Sequence, residues 1–173
     1  MMEFQRILVG VDDSDLGQAV LERSLALAQA CKARLHLFHC LMVEAIAEPI
    51  IPPISGGIAD LGTYPGLVDN VYLVQQMQEQ ESQAITLLKK YSDIASQQGV
   101  STEFSHQVGE PGRALCQIAK DWSADLIVIG RRGRSGFAEA FLGSVSNYVV
   151  HHAPCSVLVI QEVHPAHEPS PTL

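Results

Sequence analysis

Two apolar rhythms alternate along this chain, and their alternation limits the fold more than any other feature. Arg6 to Val11 (RILVGV) is a short, nearly continuous run of aliphatic residues, which suits a strand covered on both faces, as in a parallel sheet. It ends in Asp12, Asp13 and Ser14, residue types that cap helices. Leu16, Val20, Leu27 and Cys31 then return at spacings of four and seven, so a helix with one apolar stripe is predicted from about Ser14 to Lys32. Arg34 to Leu41 (RLHLFHCL) reads as a second strand. Strand, helix and strand at these lengths form a βαβ unit, with parallel strands and a right-handed crossover.

The rhythm breaks between Val43 and Asp69, a stretch holding Pro49, Pro52, Pro53 and Pro65 among several glycines. Such a stretch inside a compact domain reads as an insertion after the second strand. It is either a mobile surface loop or a lid or partner-binding segment; Ile46, Ile50, Ile51, Ile54 and Ile58 make it too apolar for a plain linker. Helical period resumes from Val71 to Gln98, with Gly99 as the stop. Thr102 to Val108 alternates like a strand with one wetter face, which predicts a sheet edge. Glu110 and Pro111 open a helix running to about Trp122. Asp125 to Ile129 (DLIVI) is predicted to be the most buried strand, Ser144 to His152 a short helix closed by Pro154, and Ser156 to Ile160 the last strand. From Glu162 the chain carries Pro165, Pro169 and Pro171 and reads as a disordered tail over 162–173. The expected organisation is one domain over 1–161, with residues 43–69 inserted and no internal repeat. Strands alternating with helices in this way predict an α/β fold, a three-layer, doubly wound, Rossmann-like sandwich around a five-stranded parallel sheet. Ligands of such sheets bind beyond the carboxyl ends of strands, where strand order reverses. The residues after strands one, two and four are therefore the ones to inspect.

Composition narrows the function. Of 173 residues, 47% are hydrophobic and 17% charged, against about 25% charged in an average soluble domain, so a predominantly disordered chain is excluded. Eleven Lys and Arg against nineteen Asp and Glu give a net charge of −8, which argues against nucleic acid or an anionic membrane as partner. No apolar run approaches the ~18 residues of a membrane span, and the N-terminal sequence lacks the pattern of a secretory signal. Cys31, Cys40, Cys116 and Cys155 are scattered, without a CxxC, and read as reduced core thiols of a cytoplasmic protein.

Against this acidic background, Arg131, Arg132 and Arg134 gather in one loop after the fourth strand. Gly130 and Gly133 allow close backbone approach to a ligand. Gly143 and Ser144 begin a helix, whose free N–H groups and positive dipole end face outward, and Ser144 and Ser146 add hydroxyls. Together these residues make a phosphate cradle without a Walker lysine. The plainer reading, glycines that shape a turn and a serine that caps a helix, leaves the arginine cluster unexplained in a chain so poor in cations.

The spacing Gly-x2-Gly-x9-Gly-Ser, at Gly130, Gly133, Gly143 and Ser144, resembles the nucleotide-binding signature of the universal stress protein family. So do the opening RILVGVDDS, the GEP turn at Gly109 to Pro111, the strand ADLIVIG and the ending GSVSNYVVHHAPCSVLVI, in the family's order. The resemblance covers most of the chain; the insertion and the proline-rich tail depart from it. It implies a fold of the adenine nucleotide alpha hydrolase-like type, with ATP, AMP or ADP as ligand and Mg2+ carried on the phosphates. Carried over, Asp12 would meet the ribose hydroxyls, with Gly10 and Val11 lining the same wall. The Cys40 backbone would meet the adenine edge, Ile129 would pack on the base and Gly130 would lie beneath the ribose. Arg132, Gly133, Gly143, Ser144, Val145 and Ser146 would hold the phosphates. The family also implies a homodimer, joined antiparallel through Ser156 to Ile160, that signals nucleotide occupancy to regulatory protein partners. Helix capping remains an alternative role for Asp12 and Asp13.

Absent motifs exclude other nucleotide enzymes. There is no GxxxxGK[ST] and no GxGxxG after the first strand. Ser55-Gly56-Gly57 does not follow the first strand, and strand three ends without a phosphoacceptor, which sets aside pyrophosphatase-type and receiver-domain readings. His36 and His39 read as packed or satisfied strand residues, and His151 and His152 as favourable charges at a helix C-terminus. No general base or paired carboxylate stands beside the cradle in sequence, Glu139 being the nearest acid. A slow ATPase or phosphotransfer enzyme is therefore the alternative to a binding protein, and a nucleotide-free interaction dimer the third possibility.

Overall fold

A computed structural model describes residues 4–41, 66–131 and 142–161, with backbone alone for 66–73. Most of the predicted insertion, the 162–173 tail, Ser55-Gly56-Gly57, and the loop residues Arg132, Gly133, Arg134 and Glu139 lie outside the described residues. The elements run β1 (Arg6–Gly10), α1 (Asp15–Cys31), β2 (Arg34–Leu41), α2 (Gly66–Gln97), β3 (Thr102–Val108), α3 (Pro111–Asp121), β4 (Leu126–Gly130), α4 (Ser144–His152) and β5 (Ser156–Ile160). All pairings are parallel, in the order β3-β2-β1-β4-β5. This is the predicted sandwich: the chain winds outward from β1 through β2 to β3, then crosses back to β4 and β5.

Alternate side chains of the inner strands fill two separate cores. Ile7, Val9, Leu35, Leu37, Leu126 and Val128 pack against α1 and α2 through Val20, Leu25, Leu88 and Tyr91. Leu8, Phe38, Ile127 and Ile129 pack on the other face against Ala114, Leu115 and Val149 of α3 and α4. Burial on both faces removes the period-two signal, which is why β1 and β4 appear in the sequence as unbroken apolar runs. β3 lies at an edge, as its wetter pattern predicts.

Three elements, α2, β1 and β4, have boundaries that differ from expectation. α2 begins at Gly66, so residues 66–69 belong to the helix and not to the insertion; after Pro65 nothing interrupts a helix, and proline suits the residue just ahead of one. β1 ends at Gly10 rather than Val11. β4 is displaced by one residue, because Asp125 turns its carboxylate back to accept the Gln5 N–H at 2.8 Å and the Arg6 N–H at 3.2 Å. At the end of α2, Gly99 takes φ +74° as the predicted stop.

Candidate functional site

Strand order reverses between β1 and β4, and a cleft of about 410 Å³ opens there at the carboxyl ends of β1, β2 and β4. Every predicted site residue within the described part lines it: Gly10, Val11, Asp12, Cys40, Ile129, Gly130, Gly143, Ser144, Val145 and Ser146. The predicted Arg132 and Gly133 lie outside the described residues.

One wall is the turn from β1 to α1. Ser14, not Asp12, is the N-cap: its Oγ accepts the Gly17 N–H at 3.0 Å. Asp12 supports that cap, its Oδ1 accepting both the Ser14 N–H (3.1 Å) and the Ser14 hydroxyl. The turn presses so closely on α1 that a Cβ at Gly17 would stand 2.3 Å from the Asp12 carbonyl oxygen. Val11 donates its N–H to the Phe38 carbonyl of β2 at 2.9 Å, and the His39 Nδ1, also on β2, meets the Val11 carbonyl at 2.8 Å. The Tyr91 hydroxyl reaches the Asp12 carbonyl at 3.4 Å. Burial, then the Asp12 and Asp13 carboxylates, push the Tyr91 pKa up, so that hydroxyl stays a donor.

The opposite wall is the start of α4. The first hydrogen bond of the helix runs from the Asn147 N–H to the Gly143 carbonyl, so the N–H groups of Ser144, Val145 and Ser146 precede any intrahelical acceptor. Gly143 is the N-cap, and among the described residues no side chain caps this end. The Gly143 N–H donates to the Arg131 carbonyl at 2.9 Å. The Ser146 hydroxyl, on a residue only 2% exposed, reaches the same carbonyl at 2.8 Å and that of Gly143 at 3.0 Å. That hydroxyl, expected on phosphates, has one proton and turns it inward. What Ser146 keeps for a ligand is its backbone N–H. The partial positive charge of the three leading amides suits an anion; Arg131 also lines the cleft, with its guanidinium donating to the Gln161 side chain at 3.2 Å.

Between these walls, Ile129, Phe38 and Leu115 make an apolar floor, suited to a flat ring. Burial pushes the Cys40 thiol up to about 11, which favours its protonated form, and its Sγ lies 3.5 Å from the Gly109 carbonyl. Leu16, Gly17, Val20, His39, Leu41, Gln80 and Pro111 also line the cleft without having been assigned to it from sequence. Pro111 belongs to the recognised GEP turn and Gly17 follows the cap by three residues, so both carried a signal. Gln80 carried none, since only the packing of α2 brings it there.

The family model described as "Universal stress protein family" matches residues 3–161. Over 160 residues the chain is 39% identical to universal stress protein Sll1388 of Synechocystis sp., covering 92% of this chain and 99% of that one. Among solved structures, universal stress protein UspA from Lactobacillus plantarum superposes with a TM-score of 0.72 at 25% identity, over 92% of this chain and 99% of that one. Three more distant structures share the fold and hold nucleotides. A universal stress protein in complex with cAMP is 24% identical, with TM-score 0.61 and coverage of 92% and 98%. One from Archaeoglobus fulgidus in complex with dAMP is 23% identical, with TM-score 0.55 and coverage of 91% and 98%. A family protein from Arabidopsis thaliana with AMP bound is 19% identical, with TM-score 0.61 and coverage of 96% and 97%.

Proposed function

Because the chain belongs to the universal stress protein family, we propose that its cleft binds an adenine nucleotide, ATP foremost, and that occupancy is read by protein partners. One observation carries this reading: the three leading amides of α4, which no side chain among the described residues caps, line the same cleft as Asp12, over an apolar floor. A nucleotide offers a group to each: phosphates to the amides, a flat base to the floor, and to the carboxylate the ribose hydroxyls, which stand between phosphate and base. A cleft of about 410 Å³ falls within the usual range for small-molecule sites. The nucleotides held by three proteins of this fold support the same class of ligand.

In this reading the amides of Ser144 to Ser146, with Arg132 and Gly133, hold the phosphates. Ile129 packs on the base, the Cys40 backbone meets its edge, and Asp12 accepts from the ribose with Gly10, Val11 and Gly130 close by. Among the described residues no three His, Cys, Asp or Glu side chains converge on a metal site, so Mg2+ would enter on the phosphates. The role is regulatory, in the cytoplasm, as a homodimer joined through β5. No helix among the described residues is long and apolar enough to cross a membrane.

Calorimetry with ATP, AMP and cyclic nucleotides tests the reading, with Gly133→Val as the probe. A side chain at the cradle should lower ATP affinity at least ~10-fold, about 1.4 kcal/mol, with the fold retained. Unchanged affinity would count against the placement of the phosphates. Phosphate release with and without magnesium distinguishes a binding protein from a slow ATPase.

A further inference from the structure

We propose that His39 is a positioning residue that sets the Asp12 carboxylate for the ribose hydroxyls. The inference rests on the nucleotide reading above and adds to it a residue outside the phosphate cradle. A backbone carbonyl can only accept, so the 2.8 Å contact between His39 Nδ1 and the Val11 oxygen places a proton on Nδ1. The N–H of Val11 itself donates to the Phe38 carbonyl at 2.9 Å. β2 therefore grips Val11 by both its polar groups, one position before Asp12.

The grip continues through Asp12. Tyr91 reaches its carbonyl, Ser14 supplies two donors to its Oδ1, and Gly17 leaves no room behind it. Capping α1 requires none of the His39 or Tyr91 contacts, because the Ser14 hydroxyl already accepts the Gly17 N–H. A half-buried Asp12 in the lining of the cleft, its carboxylate held by Ser14 and the backbone that carries it held from β2 and α2, is fixed more strongly than helix capping needs. Orientation of that kind is what a carboxylate requires in order to accept from two neighbouring hydroxyls at once.

Calorimetry on the full chain with ATP and with 2′,3′-dideoxy-ATP tests the proposal. The native protein should prefer ATP by about 10-fold, as expected for hydrogen bonds to a charged acceptor. His39→Leu removes the donor at similar size; its preference should collapse towards one, through weaker ATP binding, with dideoxy-ATP affinity kept within about twofold of native. His39→Asn, whose amide nitrogen occupies the place of Nδ1, should restore the preference. If His39→Leu does not fold, His39→Gln, with its amide one methylene further out, takes its place and should lose the preference in the same way. A retained preference in the loss variant, or a parallel fall for both ligands, would overturn the role of His39. A native protein that binds both nucleotides equally would overturn it too, and leave nucleotide binding standing. A native protein that binds neither would take both readings down.

Discussion

At Gly17, substitution by alanine reverses its ordinary sign. In an exposed helix the change gains up to about 1 kcal/mol. Here the new methyl would sit 2.3 Å from a backbone oxygen and 2.5 Å from the Asp12 Oδ1, and the turn would have to move. Gly17→Ala should therefore lower stability by about 1–3 kcal/mol and weaken nucleotide binding with it; denaturant titration and calorimetry on the same variant read both. Gly10 is a milder case, because a Cβ there meets only the side chains of Ile129 and Leu115. Single residues also mark the limit of reading a sequence. Gly143 and Ser144 could be placed in the lining of the cleft because their chemistry is local, a glycine and a serine at the start of a helix, whereas Asp12 was placed there by the resemblance. The direction of the Ser146 hydroxyl was not legible, since it depends on where the Arg131 carbonyl falls across the turn.

At the level of elements, the edge strand β3 is fastened to its neighbours by a polar cluster far from the cleft. His36 Nε2 meets the Ser105 hydroxyl at 2.7 Å, the His36 ring stands edge-on to Trp122 with centroids 5.2 Å apart, and the Trp122 indole N–H donates to Glu103, which also pairs with Arg34 at 3.6 Å. The His36 Nδ1 is buried and finds no hydrogen-bond partner among the described residues. Burial lowers the His36 pKa, and the Glu103 carboxylate only partly offsets that. A histidine depressed in the folded state binds more protons unfolded, so its stabilising share is complete above the unfolded pKa of about 6.5 and declines as pH falls below it. Urea midpoints should accordingly drop from pH 7 downward, and drop less in His36→Gln; parallel curves for the two proteins would refute the assignment. Elements were legible where burial is two-sided or the helical stripe is clean, as in β1, β2 and α1. The start of α2 was missed because Pro65 and Gly66 look like loop residues, and β4 slipped by one because Asp125 serves β1.

For the whole molecule, the two flanks of the sheet differ. β3 carries Glu103 and His106, the latter paired with Glu81 at 3.0 Å. β5 (SVLVI) has no charged residue, and Leu158 on it is 38% exposed. The proposed dimer through β5 is therefore best probed at Leu158. Val157 and Val159 are partly buried against the α3 and α4 core, so a charge there would damage the fold as well as the interface. Leu158→Glu should shift sedimentation from dimer to monomer with little change in thermal midpoint; a dimer that persists would exclude this interface. The parallel, doubly wound sheet, the edge position of β3 and the place of the cleft followed from sequence, since βαβ units leave few topologies open; the strand order itself comes from the structure. The contributions of α2 to the cleft, Gln80 and the Tyr91 contact, arise only once the long helix packs back over β2 and β3. One further consequence comes from the Arg131 carbonyl, which receives the Gly143 N–H and the Ser146 hydroxyl together. That double clasp moors the first turn of α4 to the tip of β4, so the helix start can shift only if the sheet shifts with it.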